Sequence, residues 1–538
     1  MKKTFTIQYV FAILIALCVT SCRPESDDLL SYGQNDYQSF YDANHTFAGE
    51  FEAFWMAMNE NYGIWDYEAE FGLDWDEVYN TYLSRFEELD QRRTRVTDAE
   101  LEALYKEITN PLHDGHMALK VKNLHTGKYI TLNPNQNRIV QEREQDLTEA
   151  MQYLTTLDAY LTPEMDAAYR IKAFDATGSD DIVFELIDST LTRATRAADA
   201  YIAMVDAAGG PNASNDSLYV AADSLRAGAQ KLVLFLHTIP HSMRVLMKSY
   251  FIGGYDKIYK EYAFVGKQIG APIVELEKEM KEDALGSFRY ALFEGNIAYL
   301  RFSGFGLTPH MTSSASSSEN PTMYSAYQEA VKRVWHHWFD TIQELHKSGQ
   351  LGGIIFDMRN NTGGYLDDYQ YVLGALLPSG GWDSHMLRLK NGSGRLDFAP
   401  LQPFTAPTYP EPHEVINDRP IVVLANCQSI SMAEVTTWGV KRQPNGHFIG
   451  VRTYGALSGL NPSPENYSDN YSGAFGVQDV TPIWGYVPKM ISLFGEQQQI
   501  LEGVGITPDQ EVHLDANMWM MQQRDNQLEA ALDYVRRN

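Results

Sequence analysis

PIVVLANCQSISMAEVTTWGVKRQPNGHFIGVRTYGALSGL, residues 420–460, contains the clearest succession of structural patterns in the chain. An apolar run predicts a strand, a small polar turn follows it, and the next residues predict a helix and a second strand that ends in a glycine-rich turn. In order, these elements are 421–425, the turn with Ser429 and Ser431, a helix from Ala433, and 447–452. Hydrolases place nucleophiles between a strand and a helix, because the hydroxyl is exposed there and the helix N-terminus faces developing negative charge.

The region from residue 288 onward alternates strands with helices. Further strands are predicted at 297–302 and 354–358, with a Ser-rich loop at 310–321 and an amphipathic helix at 323–348 between them. Alternating elements joined by short loops indicate a layered α/β domain.

The region before residue 288 has mainly helical spacing of apolar residues. We expect an N-terminal helical domain at 46–120 and a mainly helical insertion at 121–286, followed by the α/β core at 287–538. The insertion is predicted to contain helices at 218–236 and 258–280, with breaks at 207–211 and 253–254, where glycines cluster.

The first residues resemble a bacterial lipoprotein leader. A basic start at 1–3 precedes an apolar run at 11–19 that is too short to span a bilayer, and the small residues before Cys22 resemble a lipobox. We expect a leader at 1–21, a lipid on Cys22 and a tether at 22–45. The expected location is the cell envelope, lipid-anchored, on the outer membrane and facing the periplasm or the surface; the alternative is a soluble secreted protein.

Cysteine use and charge limit the possible partners. Cys18 lies in the leader and Cys22 is the expected acylation site, so Cys427 remains; no disulfide framework and no cysteine metal site are expected. Cys427 is a rival nucleophile, although its flanks lack a partner base and a small buried residue is the favoured interpretation. The net charge of −27 disfavours nucleic acid, because phosphate binding needs a basic surface.

Residues 356–364, FDMRNNTGG, follow a predicted strand and precede a helix-like stretch. Paired glycines let a backbone approach a ligand closely and direct N–H groups at an oxyanion. A tight turn without a chemical role is the alternative for this pair alone.

Together these blocks resemble the C-terminal processing (tail-specific) peptidases and the tricorn core proteases. GNIAYLRFSGFG (295–306), the block GGIIFDMRNNTGGYLDDYQYVLGALLP (352–378) with its D-x-R-x-N-x-G-G pattern, and PIVVLANCQSISMAEV (420–435) occur in the family's order. A closing element, GITPD at 505–509, is similar to the family's G-V-x-P-D. The resemblance covers about the last half of the chain and implies a crotonase-like α/β protease core that acts on peptide or protein substrates without a metal or cofactor.

The resemblance assigns the nucleophile and the oxyanion hole. The family's nucleophile block, aligned on Glu434 with the S-x-x-E spacing of this chain, makes Ser431 the nucleophile and gives Ser429 a supporting place in the turn. The amide of Met432 becomes one oxyanion donor, and Gly363 or Gly364 supplies the second.

The chain departs from the processing peptidases at Ala456. Those enzymes have a lysine general base after the glycine of this turn, and a methyl group cannot accept a proton. Lys441 is a poor substitute, because a solvated position is expected for it in the turn 441–446. Either the protein is inactive or another base serves.

The tricorn branch implies that other base. Its histidine lies in a motif like L-x-D-G-H-T, and LHDGHM (112–117) puts His116 in that place, with His113 as a rival in the same turn. Its glutamate three residues before the closing glycine corresponds to Glu502. A neutral imidazole can activate a serine and a carboxylate can hold the imidazole in the right tautomer, so a Ser431–His116–Glu502 site is expected. The branch also has a serine before its histidine, and Gly115 occupies that place.

Three functions remain open at this point. The favoured one is a membrane-tethered serine endopeptidase; the second is an inactive relative that binds a ligand or peptide; the third is an esterase, which the missing Gly-x-Ser-x-Gly elbow disfavours. No convincing PDZ carboxylate loop occurs in the insertion, so recognition of free C-termini is not assumed. The sequence leaves the oligomeric state open.

Overall fold

The computed structural model describes residues 45–155, 173–175, 179–240, 243–244, 247–276, 289–312, 323–376, 382–392, 394–406, 408–459, 475–476, 480–522 and 524–538. The predicted leader, Cys22 and the tether up to residue 44 lie outside these ranges. Within the ranges, none of the helices combines the length and hydropathy that a membrane span needs.

Helices and strands alternate along most of the described chain. The helices are α1 Phe47–Asn61, α2 Trp65–Glu70, α3 Trp75–Gln91, α4 Asp98–Thr109, α5 Pro134–Glu142, α6 Glu144–Thr155, α7 Ser179–Ala207, α8 Asp216–Thr238, α9 Lys248–Gln268, α10 Thr308–Thr312, α11 Met323–Lys347, α12 Tyr369–Val372, α13 Met432–Lys441, α14 Ala516–Gln522 and α15 Asn526–Arg537. The strands are β1 Ala118–Lys122, β2 Tyr129–Leu132, β3 Ala173–Asp175, β4 Arg289–Phe293, β5 Ile297–Arg301, β6 Gly353–Asp357, β7 Trp382–Leu389, β8 Gln402–Ala406, β9 Ile421–Ala425, β10 Gly446–Gly450, β11 Ile483–Tyr486, β12 Met490–Leu493 and β13 Gln510–Glu511.

The chain divides into two compact units. The first unit comprises Met1–Glu144, Asp383–Thr405 and Tyr454–Gly505, and the second comprises Gln145–Trp382, Ala406–Thr453 and Ile506–Asn538. The sequence predicts one core at 287–538. Two segments of that region, Asp383–Thr405 and Tyr454–Gly505, belong to the first unit together with the N-terminal residues.

The first unit is built on aromatic packing between its N-terminal helices. α1 begins after Thr46, whose Oγ1 accepts the N–H of Gly49 at 3.0 Å. Phe51 on α1 stacks on Phe86 of α3 with ring centroids 4.6 Å apart, and Phe54 contacts the edge of Tyr105 on α4. Burial of rings of this size is the main source of such a core's stability. The unit also contains the three-stranded sheet β11–β1–β2 and almost all residues of a second one, β12–β7–β8.

The second unit contains a sheet of seven described strands in the order β13–β10–β9–β6–β5–β4–β3. The run β5–β6–β9–β10–β13 is paired in parallel, and β4 pairs antiparallel with both β5 and β3. β6 and β9 are buried along their whole length, as their apolar sequences GIIFD and IVVLA require in a sheet covered on both faces. Parallel pairing brings their carboxyl ends to one edge, where the FDMRNNTGG loop and the Ser431 turn both begin.

Several sequence-based predictions agree with these elements and two do not. β9 has the predicted bounds, α11 begins at the predicted residue, and the chain leaves helix at Ala207 as expected. The predicted break at 253–254 is wrong, because α9 runs through both glycines. A Cβ on Gly254 would lie 3.2 Å from Leu232 Cδ1, so the glycine serves a close approach to α8. The helix predicted at 258–280 ends at Gln268, just before Gly270, whose φ is +80°.

Candidate active site

Ser431 occupies a strained position at the start of α13. Its φ of +57° and ψ of −117° lie in a region that non-glycine residues rarely adopt, which costs about 1–3 kcal/mol. The N–H of Ser431 donates to Glu434 Oε2 at 3.2 Å, and the N–H of Ile430 donates to the carbonyl of Asn361 at 2.9 Å. The turn is therefore held from both sides, as sites that retain backbone strain must be.

Glu434 extends this support into the rest of the second unit. Its Oε1 accepts the hydroxyl of Thr453 at 2.6 Å, and Thr453 Oγ1 accepts the N–H of Ile506 at 2.7 Å. The glutamate of the S-x-x-E pattern is wholly buried, and its contacts join the serine turn to two other segments of the unit.

Gly363 packs directly against the serine. A Cβ on Gly363 would lie 2.7 Å from Ser431 Cβ, 2.7 Å from the carbonyl oxygen of Ile430 and 3.0 Å from the nitrogen of Met432, and its φ is +82°. No other residue fits that position without moving the nucleophile. Gly363 therefore belongs to the cluster of residues around Ser431.

The structure separates the three predicted oxyanion donors. The N–H of Gly363 is already bonded to Asn361 Oδ1 at 2.9 Å. Among the described residues, the N–H groups of Met432 and Gly364 have no acceptor, and Gly364 is exposed. Met432 begins a ten-residue helix, whose N-terminus favours negative charge. Of the two glycines, Gly364 has the amide that is available.

Ser429 has the supporting role that the sequence predicts. Its hydroxyl donates to the carbonyl of Met358 at 2.7 Å and accepts the N–H of Asn426 at 2.9 Å. Both bonds are buried, and the side chain joins the ends of β6 and β9. Cys427 in the same turn is buried, as the sequence-based interpretation expects.

A buried ion cluster holds the loop that carries the paired glycines. Arg359 bonds to Asp357 through Nε at 2.9 Å and to Asp525 through Nη2 at 2.7 Å, and all three side chains are fully buried. The hydroxyls of Tyr153 and Tyr299 also donate to Asp357 Oδ2. Burial raises the pKa of Asp357, but the facing Arg359 outweighs it and holds that pKa below its usual range.

The candidate base lies in the first unit, in the turn after α4. The N–H of His116 donates to Asp114 Oδ1 at 2.8 Å. Burial lowers the pKa of His116 to about 4, so the imidazole is neutral near pH 7 and able to accept a proton.

Glu502 holds this turn by its backbone. Its Oε2 accepts the N–H of Gly115 at 2.9 Å, and its Oε1 accepts the N–H groups of Leu457, at 2.9 Å, and Ser458. The sequence predicts a carboxylate bonded to the imidazole ring; the structure instead has His116 Nδ1 buried without a hydrogen-bond partner among the described residues. The Glu502 carboxylate lies beside the turn that carries His116, but its oxygens already accept hydrogen bonds from these three backbone N–H groups. Burial raises its pKa, and the amides oppose that rise.

Ala456 packs against the same turn. A Cβ on Gly115 would lie 2.6 Å from Ala456 Cβ and 1.9 Å from the carbonyl oxygen of Gly455. A serine before the histidine, as in the tricorn branch, therefore does not fit here. Ala456, where the sequence resemblance leads us to expect a lysine, is fully buried against this turn.

The rival bases have other partners. His113 Nδ1 contacts Glu68 Oε2 at 2.7 Å, and its ring stacks on Phe71 with centroids 4.0 Å apart. Lys441 ends α13 and forms an ion pair with Asp509, rather than lying solvated in a turn as expected. Among the described residues, no group of three or more His, Cys, Asp or Glu side chains could hold a metal ion.

The predicted site residues thus form two clusters. Ser431, Met432, Gly363 and Gly364 come together in the second unit, and His116 and Glu502 in the first. The roles of Asn361 and of the Asp357–Arg359–Asp525 cluster were not predicted from the sequence. The D-x-R-x-N block contains all of these residues except Asp525. Nor was a role predicted for Asp114, whose position beside the histidine in the D-G-H motif was the available signal.

Comparisons with known proteins identify a family for part of the chain. Residues 296–512 match Peptidase family S41. The carboxy-terminal-processing protease of Bartonella bacilliformis is 27% identical over 218 residues, which are 40% of this chain and 38% of that protein, so the chain matches less than two-fifths of that relative's length.

Two solved structures are also similar. A candidate peptidase from Parabacteroides merdae has 16% identity and a TM-score of 0.44 over 90% of this chain and 95% of that one. A candidate S41 protease from Bacteroides fragilis has 16% identity and a TM-score of 0.30 over 47% and 57%. The match over residues 296–512 and the homology to a carboxy-terminal-processing protease show that this part of the chain belongs to peptidase family S41, a family of serine peptidases.

Proposed function

We propose that this protein is a serine endopeptidase of the cell envelope, anchored by a lipid on Cys22 and acting on peptide or protein substrates. The observation that carries the proposal is the strained Ser431 at the N-terminus of α13, with Gly363 packed against it and with the N–H groups of Met432 and Gly364 lacking an acceptor among the described residues. Membership of the S41 family supports the reaction class. The core is expected to have the crotonase-like arrangement that the sequence resemblance implies.

In the proposed reaction Ser431 Oγ attacks the peptide carbonyl while His116 takes the hydroxyl proton. The Met432 and Gly364 N–H groups stabilise the oxyanion, and His116 then gives its proton to the leaving amine. Water hydrolyses the acyl-enzyme with His116 again as base. Glu502 contributes by fixing the backbone beside His116. This reaction needs no lysine at position 456.

A fluorophosphonate probe tests this proposal directly, because it labels activated serines. We expect labelling of the wild type and its loss in Ser431→Ala, together with a fall of at least about 10⁴-fold in hydrolysis of an unfolded protein substrate. Ser348→Ala is the matched control, since that exposed serine follows α11 and its hydroxyl donates to the carbonyl of Leu345. Its labelling and activity should equal those of the wild type.

A protein that binds ligands or peptides without catalysis is the second candidate, and the buried Ala456 in place of the lysine favours it. A folded wild-type protein that neither takes the label nor cleaves the substrate would replace the peptidase proposal with this one. Peptide binding measured by calorimetry on Ser431→Ala would then define the ligand.

A further inference from the structure

The turn that carries His116 contains two buried polar atoms without a hydrogen-bond partner in the part of the chain that the structure describes. They are His116 Nδ1 and Asp114 Oδ2, two residues apart, and each is enclosed so that solvent does not reach it. Most buried polar atoms in proteins are hydrogen-bonded, and an exception at a candidate catalytic residue requires an explanation. One of these atoms can donate and the other can accept.

Glu502 is poorly suited to satisfy the imidazole. Its two oxygens already accept three backbone N–H groups, from Gly115, Leu457 and Ser458. Accepting a bond from the ring would weaken contacts that hold the turn itself. Asp114 differs, because its Oδ1 holds the N–H of His116 while Oδ2 bonds to nothing among the described residues.

The chemistry of a general base specifies what His116 needs. To take the serine proton at Nε2, the neutral ring must carry its own proton on Nδ1, and that N–H needs an acceptor to fix the tautomer. We propose that Asp114 is the positioning residue of His116, with Oδ2 accepting the Nδ1–H after a small side-chain rotation within the turn. This inference rests on the proposed function for the role of His116, and it assigns to Asp114 the ring contact that the sequence resemblance assigns to Glu502.

The surroundings of Asp114 give the contact a pH dependence. The carboxyl is buried and near two other acidic groups, Glu502 and Glu68, while the amides of His116 and Met117 oppose them. The net effect raises the pKa of Asp114 well above its ordinary value. Because the pKa is raised, the carboxylate that accepts Nδ1–H is present above that pKa and is lost as the pH falls through it.

Protonation of Asp114 has a specific consequence for the ring. A carboxylic acid at Oδ2 would donate to Nδ1 and place the imidazole proton on Nε2, where it blocks acceptance of the serine proton. The charged groups that face the turn are Glu68, Glu502 and Arg138. Arg138 donates a hydrogen bond to the carbonyl of Leu112, and His113 contacts Glu68. We therefore expect activity to fall as the pH is lowered through the raised pKa of Asp114.

The test uses full-length protein with ¹⁵N-labelled histidine and two substitutions. Asp114→Asn keeps an oxygen for the His116 N–H but replaces the acceptor by an NH₂ donor, so kcat should fall about 10²–10⁴-fold with KM nearly unchanged, and the acid limb should disappear. The His116 ring signals, assigned with His116→Ala, should report Nδ1–H in the wild type at neutral pH and Nε2–H in the variant. Asp74→Asn is the matched control, because Asp74 Oδ1 likewise accepts two backbone amides but lies at the start of α3.

The possible outcomes separate this inference from the proposed function. Wild-type activity together with an Asp114→Asn variant that keeps its rate, its pH limb and its ring tautomer would overturn the positioning role alone. If Asp114→Asn does not fold, the test is the tautomer of His116 in the wild-type protein. A change from Nδ1–H to Nε2–H as the pH falls supports the contact with Asp114, and an Nε2–H tautomer at every pH refutes it. An Nδ1–H ring in a protein without hydrolytic activity would leave the contact in place and remove the peptidase proposal.

Discussion

The serine turn and the histidine turn are both buried, but they are stabilised in different ways. In the serine turn the hydrogen-bonding side chains of Ser429, Asn361 and Glu434 all have partners, and together they hold a residue with a positive φ. In the histidine turn the backbone is fixed by Asp114 and Glu502, while His116 Nδ1 and Asp114 Oδ2 have no hydrogen-bond partner among the described residues.

We call the serine turn the rigid half of the proposed chemistry and the histidine turn its adjustable half. A nucleophile must be held in one geometry, because strain persists only where many contacts enforce it. A base must change its protonation during every turnover, so its partner has to follow that change. The first half can be disrupted by filling space, and the second by changing which atoms donate and which accept.

The largest expected effect is that of removing the base. His116→Ala should lower kcat about 10⁴-fold, since a serine without its base is a weak nucleophile. His113→Ala is the matched control in the same turn: it leaves Glu68 without its imidazole partner and should cost about 1–3 kcal/mol of stability, with kcat within about tenfold of the wild type. Steady-state kinetics and thermal unfolding of both variants distinguish the two histidines.

A reversed result would change the comparison. If His113→Ala abolished hydrolysis and His116→Ala did not, the catalytic imidazole would be the one that already has a carboxylate partner. The histidine turn would then resemble the serine turn, with its working side chain held rigidly.

The sequence predicts the two halves to different extents, for physical reasons. Strands such as 421–425 and the order of the D-x-R-x-N and S-x-x-E blocks are local patterns, so the rigid half could be found without coordinates. The contact between Glu502 and the Gly115 amide joins residues 387 positions apart, and a motif does not show which atoms of a carboxylate are occupied. Local rules also failed at 253–254, where packing against Leu232 outweighs the low helix propensity of glycine.

Gly363→Ala tests the rigid half by adding one carbon atom. The new Cβ would collide with Ser431 Cβ and the Ile430 carbonyl, both 2.7 Å away, and would displace the nucleophile from its oxyanion donors. We expect a loss of about 10²–10³-fold in kcat, comparable to the loss of an oxyanion contact, and slower fluorophosphonate labelling.

Gly127→Ala is the control that separates collision from backbone strain. Gly127 has a φ of +74°, close to that of Gly363, but nothing lies within 4 Å of the position of its Cβ. Its variant should be less stable yet fully active per folded molecule. Equal losses of activity in the two variants would mean that strain, rather than contact with Ser431, accounts for the effect.

Ala456→Lys gives the smallest expected effect and tests whether the adjustable half can be exchanged for the family's lysine. The alanine is fully buried, and its Cβ lies 2.6 Å from where a Cβ on Gly115 would be, so a long side chain has to displace the histidine turn. We expect a loss of about 1–3 kcal/mol in unfolding free energy and lower activity. Ala456→Ser, which adds a single oxygen atom, should lose less of both. Denaturant unfolding and kcat/KM of the two variants, each combined with His116→Ala, provide the measurement. A lysine variant that restored hydrolysis in the absence of His116 would show that the first unit can supply either base, and that the packing of Gly115 on Ala456 is not what excludes the lysine.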